Sequence, residues 1–258
     1  KIYVYEDWWD PFAAIASAAE AVAKAVAAAA QAIANAINEI DNVLNTIGKI
    51  VSNLPILVEQ SIQFATVAYN VMDKIIKLLI QISQFVSLIV YKSNSCYNGA
   101  NEVSRETLQE ITNINNRLKQ MQNNVYGCMN PRKHLQGINK SNYKEIFKKY
   151  MNSCTFNLKD SLNEIKLYVG RFKKILMNAK LFALKYPTKE GESEQWCKDN
   201  YQKNATYEYG LKCNQCFNLL GIISRELNQI QTIEILIRSV ERMVPIGIQI
   251  SQTINKMR

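Results

Sequence analysis

Turn-forming residues are scarce in this chain of 258, which has nine glycines and five prolines. An all-β or loop-rich fold needs such residues at short intervals, so their scarcity disfavours both. Histidine is scarcer still. The single one, His134, sits beside Arg132 and Lys133. A Cys–His or Ser–His nucleophilic pair would depend on it, and nothing near it in sequence resembles a partner. There is no glycine-rich phosphate loop and no paired-histidine metal motif. The chain is therefore expected to be no enzyme, with no catalytic residues, no metal and no cofactor. It begins at Lys1 with neither methionine nor a signal-peptide core. Together with the cysteines and sequons below, this is expected of a mature secreted chain whose signal peptide has been removed.

What is abundant is alanine. Fifteen of the 24 residues from Ala13 to Ala36 are alanine, and only Glu20 and Lys24 there carry charge. Large apolar residues recur at Ile15, Val22, Val26, Ile33, Ile37, Ile40, Leu44, Ile47, Val51 and Leu54, in gaps of sevens, fours and threes. That is a 3.5-residue repeat with alanine filling the flanks. Asp10 and Pro11 suit an N-cap and a first helical position, and Pro55 ends or kinks the helix near Asn53. Polar residues interrupt the stretch throughout, so no run of about 20 apolar residues forms a simple membrane span. Small side chains on several faces instead let other helices approach closely.

Further helices are expected over 56–91, 101–125, 142–152, 157–185 and 216–243, with a short one after Pro245 and Gly247. The apolar stretch Leu78–Tyr91 is too short to cross a bilayer comfortably, and a central buried helix is the favoured reading. The helix at 101–125 carries a narrow seam of Ile111, Ile114, Leu118, Met121 and Val125. The segment GCMNPRKHLQG is expected to be a loop, and Asn157 to cap the helix that follows. That helix has the seam Leu158, Ile165, Tyr168, Phe172, Ile175, Ala179 and Phe182. The fold class is all-α: an elongated multi-helix bundle with long coiled-coil-like helices, stapled by disulfides. It forms a single domain over 1–258, divided into an apolar, alanine-rich hairpin (1–95) and a basic, disulfide-bonded part (96–258).

Six cysteines, Cys96, Cys128, Cys154, Cys197, Cys213 and Cys216, suit three disulfides in an oxidising compartment. If 101–125 is one straight helix its ends lie roughly 35 Å apart, so Cys96 and Cys128 cannot pair. The spacing Cys213-x-x-Cys216 also suits a redox pair or part of a zinc site, but the first needs strands that are missing and the second needs further ligands. Structural disulfides are the simpler reading. Sequons at Asn139 and Asn204 fit a secreted glycoprotein.

The net charge of +9 is unevenly placed. From Arg132 to Lys185 there are 13 basic residues against three acids. Within this stretch Lys159, Lys166, Lys173 and Lys180 recur every seventh position, so they share one helix face about 10 Å apart. Lys144, Lys148 and Lys149, with Arg132 and Lys133, extend the strip. A row of point charges matches a linear polyanion such as a sulfated glycosaminoglycan, or an anionic membrane surface. A solvated outer face of a bundle is the plain alternative. Nucleic acid is not expected, because the interleaved aromatics Tyr143, Phe147, Tyr150 and Phe156 read as core and not as stacking platforms. The aromatic start, KIYVYEDWWDPF, suits the plugged end of a bundle better than a membrane interface.

The whole-chain character resembles the basic, all-helical, disulfide-bonded salivary proteins of blood-feeding insects, in particular the thirty-four-kilodalton family of mosquito saliva. The resemblance lies in the aromatic start at Ile2-Tyr3-Val4-Tyr5, the long glycine-poor helices, and cysteines confined to the latter two-thirds. It implies secretion into a host and action by binding. The expected function is that of a secreted, extracellular, non-enzymatic protein that binds host or extracellular polyanions (heparin-like chains) or proteins through a basic helical face. The alternative is a membrane-active protein that inserts its apolar helical hairpin into lipid.

Overall fold

The structure, a computed structural model, describes residues 31–96, 101–135, 137–183 and 219–257. Every regular element among them is helical. Helix α1 is described over residues 31–46. It is followed by α2 (Leu54–Cys96), α3 (Asn101–Asn124), a 3-10 turn (Val125–Cys128) and α4 (Pro131–Leu135). Then come α5 (Tyr143–Ala183), α6 (Leu219–Glu241) and α7 (Met243–Lys256). The chain packs as two compact units. The described residues of one are 80–96, 101–116, 169–183 and 219–231; those of the other are 31–79, 117–135, 137–168 and 232–257.

In the second unit α1 buries Ile33, Ala36, Ile40 and Val43, and Ile47 just past its end continues the stripe. Those gaps alternate three and four, the spacing of one stripe on a helix. Ile37 of the expected repeat is only half-buried, and Val22 and Val26 lie outside the described residues. The helix stops at residue 46, not 53. Thr46, Ile47 and Gly48 form a β-branched pair followed by glycine, all poor helix formers. The Gln60 side-chain amide donates to the Lys49 carbonyl at 3.1 Å and holds the turn. Pro55 therefore opens the next helix instead of closing the first. Asn53 Oδ1 accepts from the Ile56 N–H at 3.4 Å, and proline in the first turn gives up an N–H that has no helical partner anyway.

The stretch Leu78–Tyr91 belongs to α2. Leu78 and Leu79 are buried in the second unit, and Ile82, Phe85, Val86, Ile89 and Val90 are buried in the first. No helix among the described residues is long and apolar enough to cross a membrane. In the first unit Asn115 of α3 donates to the hydroxyl of buried Ser83 at 2.5 Å, which ties α3 to α2 beside buried Ile111 and Ile114. Leu118 and Met121 of the same seam are buried in the second unit, whereas the side chain of Val125 is outside the described set.

The expected break at Asn157 is absent, and α5 runs unbroken for 41 residues. Its buried positions explain why. Tyr143, Phe147, Tyr150, Met151, Cys154, Leu158, Leu162, Ile165, Val169, Phe172, Leu176 and Ala179 follow one another in threes and fours with no gap. Asn152, Ser153, Thr155 and Asn157 are weak helix formers, but a continuous buried face outweighs their propensities. Tyr168 and Ile175 of the expected seam are half-buried at its edge.

The last expected break also moves. The helix pauses at Arg242, and Pro245 sits in the first turn of α7. Arg242 reaches across to Asp41 at 2.7 Å within the second unit.

Candidate functional site

The basic residues singled out in the sequence fall on α5 and on the turn before it. The turn is fastened to α5 at several points within the second unit. Cys128 and Cys154 form a disulfide with Cα atoms 4.5 Å apart, so Cys128 is not available to Cys96. The pairing of Cys96, Cys197, Cys213 and Cys216 lies outside the described side chains. Gly127 permits the close approach. A β-carbon there would lie 2.2 Å from the Asn157 side-chain nitrogen and 3.1 Å from the Ser153 carbonyl. The Tyr150 hydroxyl donates to the Met129 carbonyl at 3.1 Å, and burial pushes its pKa up.

On this base the segment expected to be a loop forms the 3-10 turn and α4. His134 stacks on Tyr150 with ring centroids 5.3 Å apart. Its role here is a lid on an aromatic ring. Arg132 lies 3.8 Å from Glu59, both of them largely exposed. Lys133 and Lys140 are exposed as well. Lys140 belongs to the same basic group, and it could have been counted from the charge run alone.

Because α5 is one helix, Lys144, Lys148 and Lys149 share it with the row beyond. Lys148 precedes Lys159 by eleven residues, three helical turns, so it joins the same line of side chains. Lys144, Lys148, Lys149, Lys159, Lys166 and Lys173 are exposed, and Lys180 is half-buried. Lys159 and Lys166 belong to the second unit and Lys173 and Lys180 to the first. The Lys144 ammonium lies 5.9 Å from the centre of the Tyr143 ring, the outer limit of a cation–π contact.

Acidic groups temper the row. Lys166 is paired with Glu241 of α6. Glu164 is taken by Arg117 of α3, which donates from Nε at 2.5 Å and from its second terminal nitrogen at 3.1 Å. Those hydrogen bonds hold the Glu164 carboxyl below its ordinary pKa. Tyr168 donates to the same carboxylate at 2.5 Å, and its phenol is pushed up to about 12, first by burial and then by that bond. Arg171 is paired with Glu110 within the first unit. The face thus retains exposed lysines beside acids that structural partners already occupy, with exposed Glu145 and Asp160 as the remaining opposing charges.

Sequence reasoning misplaced one aromatic. Tyr143, Phe147 and Tyr150 are core, but Phe156 is 64% exposed. It lies two residues from both Cys154 and Leu158, which turns it roughly 200° away from the buried seam. Leu167, 69% exposed, shares that outward face.

Among the described residues no group of three His, Cys, Asp or Glu side chains is placed to hold a metal ion. Cys213 and Cys216 lie outside those residues, as does the sequon at Asn204.

No family model matches this chain, and neither does any curated protein or solved structure.

Proposed function

We propose that the protein is a secreted, non-enzymatic binding protein that engages extracellular polyanions through the basic face of α5. Sulfated glycosaminoglycan chains are its principal ligand class, and acidic surfaces of host proteins offer the same charge pattern. The observation that carries this reading is the continuity of α5. Exposed Lys144, Lys148 and Lys159 then fall within about 60° of one another round the helix, with exposed Lys149 about 100° further round from Lys148, and a disulfide fastens the preceding basic turn to the same helix. A row of ammonium groups on one helix suits a linear polyanion, because the backbone that spaces them is already ordered before binding. The resemblance to insect salivary proteins supports the secretory assignment.

The test is retention on heparin compared with a plain cation exchanger of matched capacity. Elution from heparin at clearly higher salt supports a built site. Coincident elution reduces the row to a solvated face.

The membrane-active reading has less support. Its hairpin includes Leu78–Tyr91, whose described apolar side chains are core residues of α2, so insertion would cost that core. Leakage of dye from anionic liposomes at protein concentrations that leave the helices folded would favour it instead.

A further inference from the structure

The turn between α4 and α5 carries the sequon Asn139-Lys140-Ser141, and all three residues are exposed. Asn139 Oδ1 accepts from the Ser141 backbone N–H at 2.9 Å, from the Ser141 hydroxyl at 2.5 Å and from the Asn142 N–H at 3.2 Å. Asn142 Oδ1 in return accepts from the Asn139 N–H at 2.9 Å. The Asn139 carbonyl accepts from the Tyr143 N–H at 3.1 Å, at the start of α5. The oxygen of the Asn139 side-chain amide therefore holds the turn together. Its nitrogen, Nδ2, has no hydrogen-bond partner among the described residues.

We propose that Asn139 carries an N-linked glycan on Nδ2, an inference that rests on the secretory route proposed above. The donor class is an oligosaccharide linked to a polyprenyl diphosphate. A bond forms between Nδ2 and the anomeric carbon as the bond from that carbon to the diphosphate oxygen breaks. The electron pair leaves with the diphosphate, and the amide nitrogen gives up one proton. The product is still an amide, so Oδ1 keeps all three of its hydrogen bonds. The turn, the start of α5 and the sugar are then compatible in one folded state. The hydroxyl that the motif requires two residues on is already hydrogen-bonded to the acceptor amide. Asn139, Lys140 and Ser141 are themselves exposed, so none of the three would have to leave a buried position to admit a glycan.

The test routes the full chain, behind a signal peptide, through the secretory pathway of insect cells and maps its glycopeptides by mass spectrometry. The expected result is an Asn139 peptide bearing an N-glycan core. The Ser141→Ala variant should lose that glycan yet keep the wild-type far-UV spectrum, because the two backbone donors to Oδ1 remain. A secreted chain whose Asn139 peptide is bare overturns the site and leaves the secretory reading standing. A glycan at Asn204 beside a bare Asn139 overturns it most directly, since the transferase met the chain and passed Asn139 over. A chain retained in the cell but modified at Asn139 supports the site and counts against secretion.

Discussion

A β-carbon on Gly247 of α7 would lie 2.6 Å from Thr155 Oγ1 of α5, so the Thr155 side chain packs against the bare backbone of α7. The same β-carbon would lie 2.8 Å from Cζ of Phe64, which is fully buried. Glycine at this position serves packing, not a turn.

Gly247→Ala should therefore destabilise the protein. Alanine favours a helix over glycine by up to about 1 kcal/mol, but overpacking a dense core costs about 1–3 kcal/mol. A net loss of roughly 1 kcal/mol is expected on the same principles. The check is chemical denaturation of wild type and variant. An increase in stability would show that Thr155 and Phe64 shift aside freely.

The Cys128–Cys154 bridge should matter more than any single surface ion pair. It links residues 26 apart in sequence. On the loop-entropy model, closing such a loop stabilises by about 3–4 kcal/mol. Replacing both cysteines by serine should lower the melting temperature and deprotect the amides of α4 to hydrogen exchange before those of α5. Unchanged protection in α4 would show that the His134–Tyr150 stack holds the turn unaided.

Glu226 of α6 supplies a pH dependence. It is 1% exposed in the first unit, and burial pushes its pKa up to about 7, with Arg225 opposing the rise. With its amide nitrogen turned towards the carboxylate, Gln229 lies 2.8 Å from Oε2. A carboxyl whose folded pKa lies above its unfolded value of about 4.3 holds its proton more tightly in the folded state. Its contribution to stability is therefore full below about pH 4 and is lost as pH rises through about 7. Glu226→Gln should remove that loss. It should melt above wild type at pH 8, and the gap should close as pH falls towards 5. A gap that does not change with pH would show that Glu226 does not titrate in this range.

The all-helical class was legible because apolar spacing is a property of local sequence. Ile33, Ile40 and Ile47, and the α3 seam from Ile111 to Met121, are buried as their periods require. Helix boundaries were less legible because they depend on tertiary packing. Asn157 has the chemistry of a cap, yet it lies mid-helix, since the seam from Cys154 to Leu158 continues past it. Pro55 and Pro245 read as stops and are first-turn residues instead, a choice made by Asn53 in one case and the Arg242 pause in the other. On the candidate face, the sevenfold lysine spacing was visible. The pairing of Lys166 with Glu241, the outward turn of Phe156 and the fastening of the basic turn by Cys128 and Cys154 were not. Each depends on a residue distant in sequence or on the helical phase of a segment whose ends were misjudged.

If the proposed function holds, position on α5, and not net charge, sets polyanion binding. One variant reverses Lys144, Lys148, Lys149 and Lys159 to Glu. Its control reverses Lys49, Lys119, Arg238 and Lys256, exposed cations outside α5, and so has the same net charge. Affinity for a heparin oligosaccharide is then measured by titration at several salt concentrations, since charge-driven binding weakens as screening shortens to about 10 Å at 0.1 M salt. The α5 variant should lose tenfold or more in affinity and most of the salt dependence, while the control should lose only a few-fold. Equal losses in the two variants would contradict the proposed function.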